Sequence, residues 1–250
     1  MLALAAVVAN AQDAPELGVL WGIEVDGVPV GTRELKVRYE GTTGERTRFV
    51  EGWTELTLPA LEKTARAKAR AASTLRQRLT ANSQDGRPAS FVSVTETDGA
   101  ATEVQAHVAD GLWQIAWTDG AGTRRDQIPV RGVDLSTVDL FDPESERRLA
   151  QFVQVRILDD ATGKVEDGAV VALGPSDVRL GGEDLWVETF EWLSPHGSWR
   201  FYYATNGFLV RWEAPLEGRR VVATLIGPAP RGVDEFVVPG LPTVEVSDLP

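Results

Sequence analysis

From residue 18 onward, apolar and polar side chains alternate along most of the chain, the period-two pattern of half-buried strands. Leu35, Val37 and Tyr39 fall on one side of such a ribbon, and Glu34, Lys36 and Arg38 on the other. The pattern predicts strands over 18–26, 28–39, 46–58, 91–97, 101–108, 112–118, 124–130, 153–158, 169–173, 184–193, 198–204, 208–213 and 219–226. Asp26-Gly27, Asp85-Gly86, Asp98-Gly99, Asp110-Gly111, Asp119-Gly120, Asp167-Gly168 and Asn206-Gly207 punctuate these runs. Asp-Gly and Asn-Gly suit the two positive-φ positions of type I′ turns, whose twist matches that of the strands they join. The expected fold class is all-β: a large curved antiparallel sheet, half-barrel or sandwich-like, with at most one or two short helices.

Two segments carry a different signal. Residues 61–79 place Leu61, Ala65, Ala72, Leu75 and Leu79 on one helical face, yet Ala65, Ala67, Ala69 and Ala71 alternate with Arg66, Lys68 and Arg70 as in a strand. The flanking context favours strand. Residues 143–152 open on Asp142-Pro143 with a charged first turn, which predicts a short helix. Beyond Gly227, five prolines interrupt any long ladder, with room for one short edge strand over 233–238. The expected organisation is a signal segment over 1–11, one antiparallel β domain over 12–227 and a Pro-rich acidic tail over 228–250.

The run Trp21-Gly22-Ile23-Glu24-Val25-Asp26-Gly27-Val28-Pro29-Val30-Gly31, the later Phe141-Asp142-Pro143, and the hairpin Tyr202-Tyr203-Ala204-Thr205-Asn206-Gly207-Phe208-Leu209-Val210-Arg211-Trp212-Glu213 resemble envelope β domains of unknown function. That group is similar to the lipoprotein-carrier half-barrel, an antiparallel sheet with an apolar concave face. The resemblance covers roughly residues 18–227 and implies an apolar ligand on that face. The chain departs from it in showing no central helices to fill the concavity.

Charge and composition narrow the function classes. A net charge of −12 repels phosphate backbones and anionic lipid, which argues against nucleic acid as a partner. One basic stripe, Arg66, Lys68, Arg70, Arg76 and Arg78, reads as the solvated side of an element. The absence of cysteine removes disulfides, thiolate nucleophiles and thiolate zinc sites. Residues 1–11 are apolar apart from Asn10 and end in Ala9-Asn10-Ala11, the small-x-small form of a signal cleavage site, although no basic leader precedes them. The expected location is periplasmic or secreted, in a bacterial envelope. No later apolar run approaches the length of a transmembrane helix, so a soluble mature chain is expected.

Eight tryptophans are the most informative side chains. Because residues i and i+2 share a face of a strand, Trp113 and Trp117 line one side of their run. Trp186, Phe190 and Trp192 do so on a second run, Trp199 and Phe201 on a third, and Trp212 on a fourth. If these faces coincide, they form either a groove for a lipid, acyl chain or hydrophobic peptide, or a packed core. The first reading makes the chain a non-enzymatic carrier of an apolar ligand, or of an envelope partner, with those eight residues as its binding site. The second leaves a structural protein that pairs through sheet edges. A carbohydrate-active enzyme with paired carboxylates is a third possibility.

Other chemistry is thinly represented. There is no Gly-x-Ser-x-Gly elbow and no Gly-rich phosphate loop opening a helix. His107 and His196 read as a strand residue and a turn residue, with no triad partners and no zinc spacing. The acids at 159, 160, 166 and 167 read as a solvated turn; those at 134, 139, 142 and 144 form a second cluster, of which the ones near Pro143 read as caps for the short helix. No catalytic residue, metal or cofactor is expected.

Overall fold

A computed structural model describes residues 17–41, 46–60, 71–84, 86–142, 145–216 and 218–227. The expected signal segment, the tail with its edge strand at 233–238, and the basic residues at 66, 68 and 70 lie outside the described residues.

Eight strands form an antiparallel meander: β1 (Leu17–Val25), β2 (Val28–Glu40), β3 (Thr47–Leu58), β4 (Ser73–Gln84), β5 (Arg87–Thr97), β6 (Ala100–Ala109), β7 (Leu112–Asp119) and β8 (Gly122–Pro129). Then come β9 (Leu135–Ser136), the one-turn helix α1 (Ser145–Leu149) and β10 (Gln154–Leu158). The series ends with β11 (Val165–Leu180), β12 (Glu183–Ser194), β13 (Gly197–Ala204), β14 (Leu209–Leu216) and β15 (Arg219–Leu225). β15 pairs with β1, so all fifteen strands join one sheet in the order β8-β7-β6-β5-β4-β3-β2-β1-β15-β14-β13-β12-β11-β10-β9. Every pairing is antiparallel except that of β9 with β10.

The all-β expectation holds, and several local departures have physical causes. Asp26, Asp98 and Asp110 have φ near 50° and precede positive-φ glycines, as type I′ turns require. Asp167-Gly168, expected as a turn, instead lies inside β11 opposite Arg156 and Val155 of β10. The Trp192 indole occupies the space that a Cβ at 168 would need, so this glycine serves close packing. β11 also runs well past its expected end at 173, because a bulge between Ala172 and Gly174 absorbs one residue and lets pairing with β12 continue. Of 61–79, residues 73–79 lie in β4 and pair with both β3 and β5, while 61–70 lie outside the described residues. The short helix appears as α1.

Directly opposed residues in an antiparallel ladder share a face, so the register shows which side chains line the inside. One inner row runs Phe190, Phe201, Trp212, Ala223 and Ile23 from β12 to β1. Another runs Val37, Val50, Ala81, Phe91, Ala106 and Ile115 from β2 to β7. A continuous apolar face therefore spans the sheet, and burying it is the principal driving force for folding.

The inner face is covered by the chain itself. Between β8 at one edge and β11 near the other, residues 130–142 and 145–164 cross it as two 3-10 turns (Val130–Gly132 and Thr137–Phe141), β9, α1, β10 and a tight turn. Phe141 meets Trp21 edge-on at 5.2 Å between ring centres. The Tyr203 hydroxyl donates to the Leu140 carbonyl at 2.9 Å. At the turn, the Trp117 indole donates to the Thr162 carbonyl, and Gly163, at φ +64°, sits against Trp117, Val104 and Ile115. The sequence showed no central helices for this role; an irregular segment takes it.

Candidate functional site

The eight expected aromatic site residues do not form one open surface. Trp113, Phe190, Trp192 and Phe201 are buried, with Trp113 in the main core and the other three in a second cluster with Leu135, Leu149 and Ile157. Trp117, Trp199 and Trp212 are partly buried. Trp199 stacks on both Phe201 and Trp212, with ring centres 6.4 and 6.1 Å apart. Trp186 stands apart at 54% exposure. Its strand neighbours Leu185 and Val187 and, across the hairpin, Val178 and Leu180 pack in or against the main core, so Trp186, paired with the exposed Asp177, falls on the outer side of the β11–β12 hairpin.

Polar side chains on the inner face anchor the covering segment. Arg48 of β3 bonds Asp139 at 2.7 Å and Asp142 at 2.5 Å. Asp139 also accepts the backbone N–H and hydroxyl of Ser136, closing a capping box over the second 3-10 turn. The expectation that the acids near Pro143 cap α1 is thus corrected for Asp142, which, like Asp139, turns to a buried arginine. Burial opposes the Arg48 charge, but Asp142 and Asp139 outweigh it and hold the guanidinium pKa above its ordinary value. Arg148 of α1 donates to the Gly86 carbonyl at 2.6 Å, tying the segment to the β4–β5 turn.

A second anchor lies at the hairpin turn. Asp160, expected in a solvated acidic loop, is only 4% exposed. It faces Arg33 of β2 at 3.7 Å and Gln77 of β4 at 3.4 Å, and its backbone N–H donates to the Thr137 hydroxyl at 3.0 Å. Burial, with added repulsion from Asp159, raises the Asp160 pKa above the usual aspartate value, and the attraction of Arg33 recovers only part of that. Burial likewise lowers the Arg33 pKa. The guanidinium lies over the Phe141 ring at 4.8 Å. Arg33, Gln77 and Arg48 had a signal in the sequence: each occupies an inner-parity position whose neighbours at i±2 include Leu35, Leu75, Leu79 and Val50. Only Asp160, on a turn, had none.

The outer face carries a fully engaged carboxylate. Glu213 accepts from Tyr202, Arg211 and Arg220 at 3.1, 2.9 and 3.0 Å. Burial pushes its pKa up, but Arg220 and Arg211 with the tyrosine hydroxyl overcome this and hold it below the usual glutamate value. Among the described residues the buried acids are Asp139, Asp160 and Glu213, each facing arginine. None of these three is a free carboxylate of the kind that glycoside hydrolysis pairs across a cleft. His196 is exposed in the β12–β13 turn, 3.6 Å from Glu166. No group of three or more potential metal ligands occurs among the described residues.

The remaining unusual feature is the free side of β8. Among the described residues β8 pairs only with β7, and all its residues are exposed except Ile128, which is half-buried. The opposite edge, β9, is two residues long and buried. The Val130 N–H donates to the Gly111 carbonyl, so even-numbered residues of β8 bond toward β7. The backbone groups of Thr123, Arg125 and Gln127 therefore point outward. Pro129, also at an outward position, has no N–H to leave unpaired, which suits an edge strand. Beside this edge, Gln105, His107, Gln114, Arg125 and Gln127 line a shallow groove of about 820 Å³ on the outer surface.

No family model matches the chain, and no curated protein sequence does. Among solved structures it is similar to a beta-barrel-like protein of a domain of unknown function, DUF1849, from Brucella abortus. The TM-score is 0.55 at 13% identity, over 86% of this chain and 97% of that one. At that identity the likeness shows the fold alone, an all-β barrel-like domain. No helix among the described residues is long and apolar enough to cross a membrane.

Proposed function

We propose that the chain is a non-enzymatic assembly protein of the bacterial envelope that engages a partner by adding a strand to the open edge of β8. One observation carries the reading: residues 130–142 and 145–164 cover the aromatic interior, whereas among the described residues β8 keeps one side unpaired. Strand addition uses main-chain hydrogen bonds for affinity and adjacent side chains for specificity. The outward groups of Thr123, Arg125 and Gln127 and the groove beside them supply both. The test is a photocrosslinking residue at Thr123 in the native host. A defined adduct that disappears when Arg125→Pro removes one outward N–H supports the reading. Adducts indifferent to that change, or none, reject it. Fractionation of the same cells checks the envelope location.

A second reading keeps the apolar ligand implied by the lipoprotein-carrier likeness. It rests on the stacked Trp199 and Trp212, both partly open, and on the Trp212 indole N–H, buried with no acceptor among the described residues. Saturable quenching of tryptophan fluorescence by a fatty acid, lost in Trp199→Ala, supports it. Quenching that does not saturate rejects it.

A further inference from the structure

We infer that the partner of the β8 edge is β8 of a second copy, in one antiparallel register centred on Arg125. This deepens the assembly reading and rests on it. Two symmetric edge strands can pair only where outward residues meet outward residues, because a ladder alternates hydrogen-bonded and non-hydrogen-bonded pairs. In β8 the outward residues are Thr123, Arg125 and Gln127. A two-fold axis at Arg125 sets Thr123 against Gln127 of the second copy, and Arg125 against itself, at hydrogen-bonded positions. Arg124 then faces Asp126 of the second copy twice, at the close non-hydrogen-bonded positions where side-chain pairing is strongest. Moving the axis by one residue sets Asp126 on Asp126 or Arg124 on Arg124, with like charges at those same close positions. The charge order Arg124-Arg125-Asp126 therefore selects a single register.

The edge is also prepared for this pairing. Cross-strand bonds from Thr123 to Thr118 at 3.0 Å, Gln127 to Gln114 at 2.7 Å and Arg124 to Asp119 at 3.1 Å hold β8 flat against β7. The outward Gln127 N–H is occupied by the Asp126 carboxylate at 2.8 Å. Pairing exchanges that local bond for the Thr123 carbonyl of the second copy and frees Asp126 for Arg124. The one like-charged pair, Arg125 with Arg125 of the second copy, lies on the outer face at the wider-spaced position, so its long side chains can splay into water.

Sedimentation equilibrium of the purified chain tests this. A concentration-dependent dimer is expected. Arg124→Asp and Asp126→Arg should each weaken it about tenfold, since each replaces two attractive pairs by two repulsive ones. The double exchange, R124D with D126R, should restore it, and Arg125→Thr should tighten it. Arg125→Pro should abolish it with an unchanged circular dichroism spectrum, because only an outward N–H is lost. A monomer at every concentration, or a double exchange that fails to restore the dimer, overturns the inference. A monomer that still gives the Arg125→Pro-sensitive adduct at Thr123, to a different protein, overturns the self-pairing and leaves the assembly reading standing; loss of both ends both.

Discussion

Arg48 on β3 and Asp139 in the second 3-10 turn stand 91 residues apart in the chain and bond at 2.7 Å with both side chains buried. That contact and its neighbour to Asp142 hold the covering segment against the sheet. Arg48→Met would leave two carboxylates facing an apolar replacement. Removing one partner of a buried pair costs about 3–5 kcal/mol, so urea unfolding should show a loss of that order. Arg48→Lys should recover only part of it, because one ammonium cannot match the two-carboxylate geometry of a guanidinium. A Met variant as stable as the parent would show that the segment is held by other contacts.

The Arg33–Asp160 pair should behave as a unit. Arg33→Met leaves a buried carboxylate without its guanidinium and should destabilise by about 3 kcal/mol, while Asp160→Asn, close in shape to the protonated acid that burial favours, should cost less. Combined, the two changes leave no uncompensated charge and should cost clearly less than the sum of the singles. Additive losses in a double-mutant cycle would contradict a direct coupling across the 3.7 Å separation.

Asp160 and Glu213 should give opposite pH signatures. Glu213 is held below its ordinary value of 4.5, so its contribution is present above that pH and fades as pH falls through the lowered value. The stability gap between the parent and Glu213→Gln should therefore shrink under acid conditions. Asp160 is raised above its ordinary 3.8, so its contribution is complete below that pH and fades as pH rises through the raised value. Stability of the parent relative to Asp160→Asn should therefore fall with rising pH in that window. Denaturant melts across an acid pH series read both, and parallel profiles for the two variants would contradict the assignment.

Two glycines should report on packing around the indoles. Gly168→Ala places a methyl group where the Trp192 ring lies, and Gly163→Ala adds a Cβ 2.6 Å from Trp117 Nε1 at a positive φ. Overpacking of this kind costs about 1–3 kcal/mol. The Gly168 variant should also shift tryptophan emission to the red as Trp192 is displaced toward water. An unshifted spectrum at full stability would mean that the ring has room to turn aside.

Trp186 is the one exposed indole of the eight. Acrylamide should quench one accessible fraction of the emission, and Trp186→Phe should remove most of it with little change in stability. Strong quenching that persists in the variant, beyond what the half-buried Trp53 of the outer face supplies, would mean that the interior indoles are open to solvent.

Period-two alternation and Asp-Gly punctuation were enough to read the all-β class and most of the strands, because strand faces and I′ turns are local properties of a few adjacent residues. Alternation also brought Phe190, Trp192, Trp199, Phe201 and Trp212 correctly onto the inner face. It could not show that Trp186 would face outward, because within β12 the inward positions pass from Leu185 and Val187 to Phe190 and Trp192, opposite the β11 bulge between Ala172 and Gly174.

What covers the inner face was decided only by tertiary structure. Residues 130–142 and 145–164 have no sustained period, being 3-10 turns, a two-residue strand, one turn of helix and the short β10. Their place is set by partners on β2, β3, β4 and β7, more than forty residues away in the chain. Local sequence fixes dihedral preferences and the side of a ribbon on which each side chain falls. Which buried charge meets which, and which edge stays unpaired, follow from the closing of the sheet around that segment, because burial energies and desolvation act between residues brought together only by the whole fold.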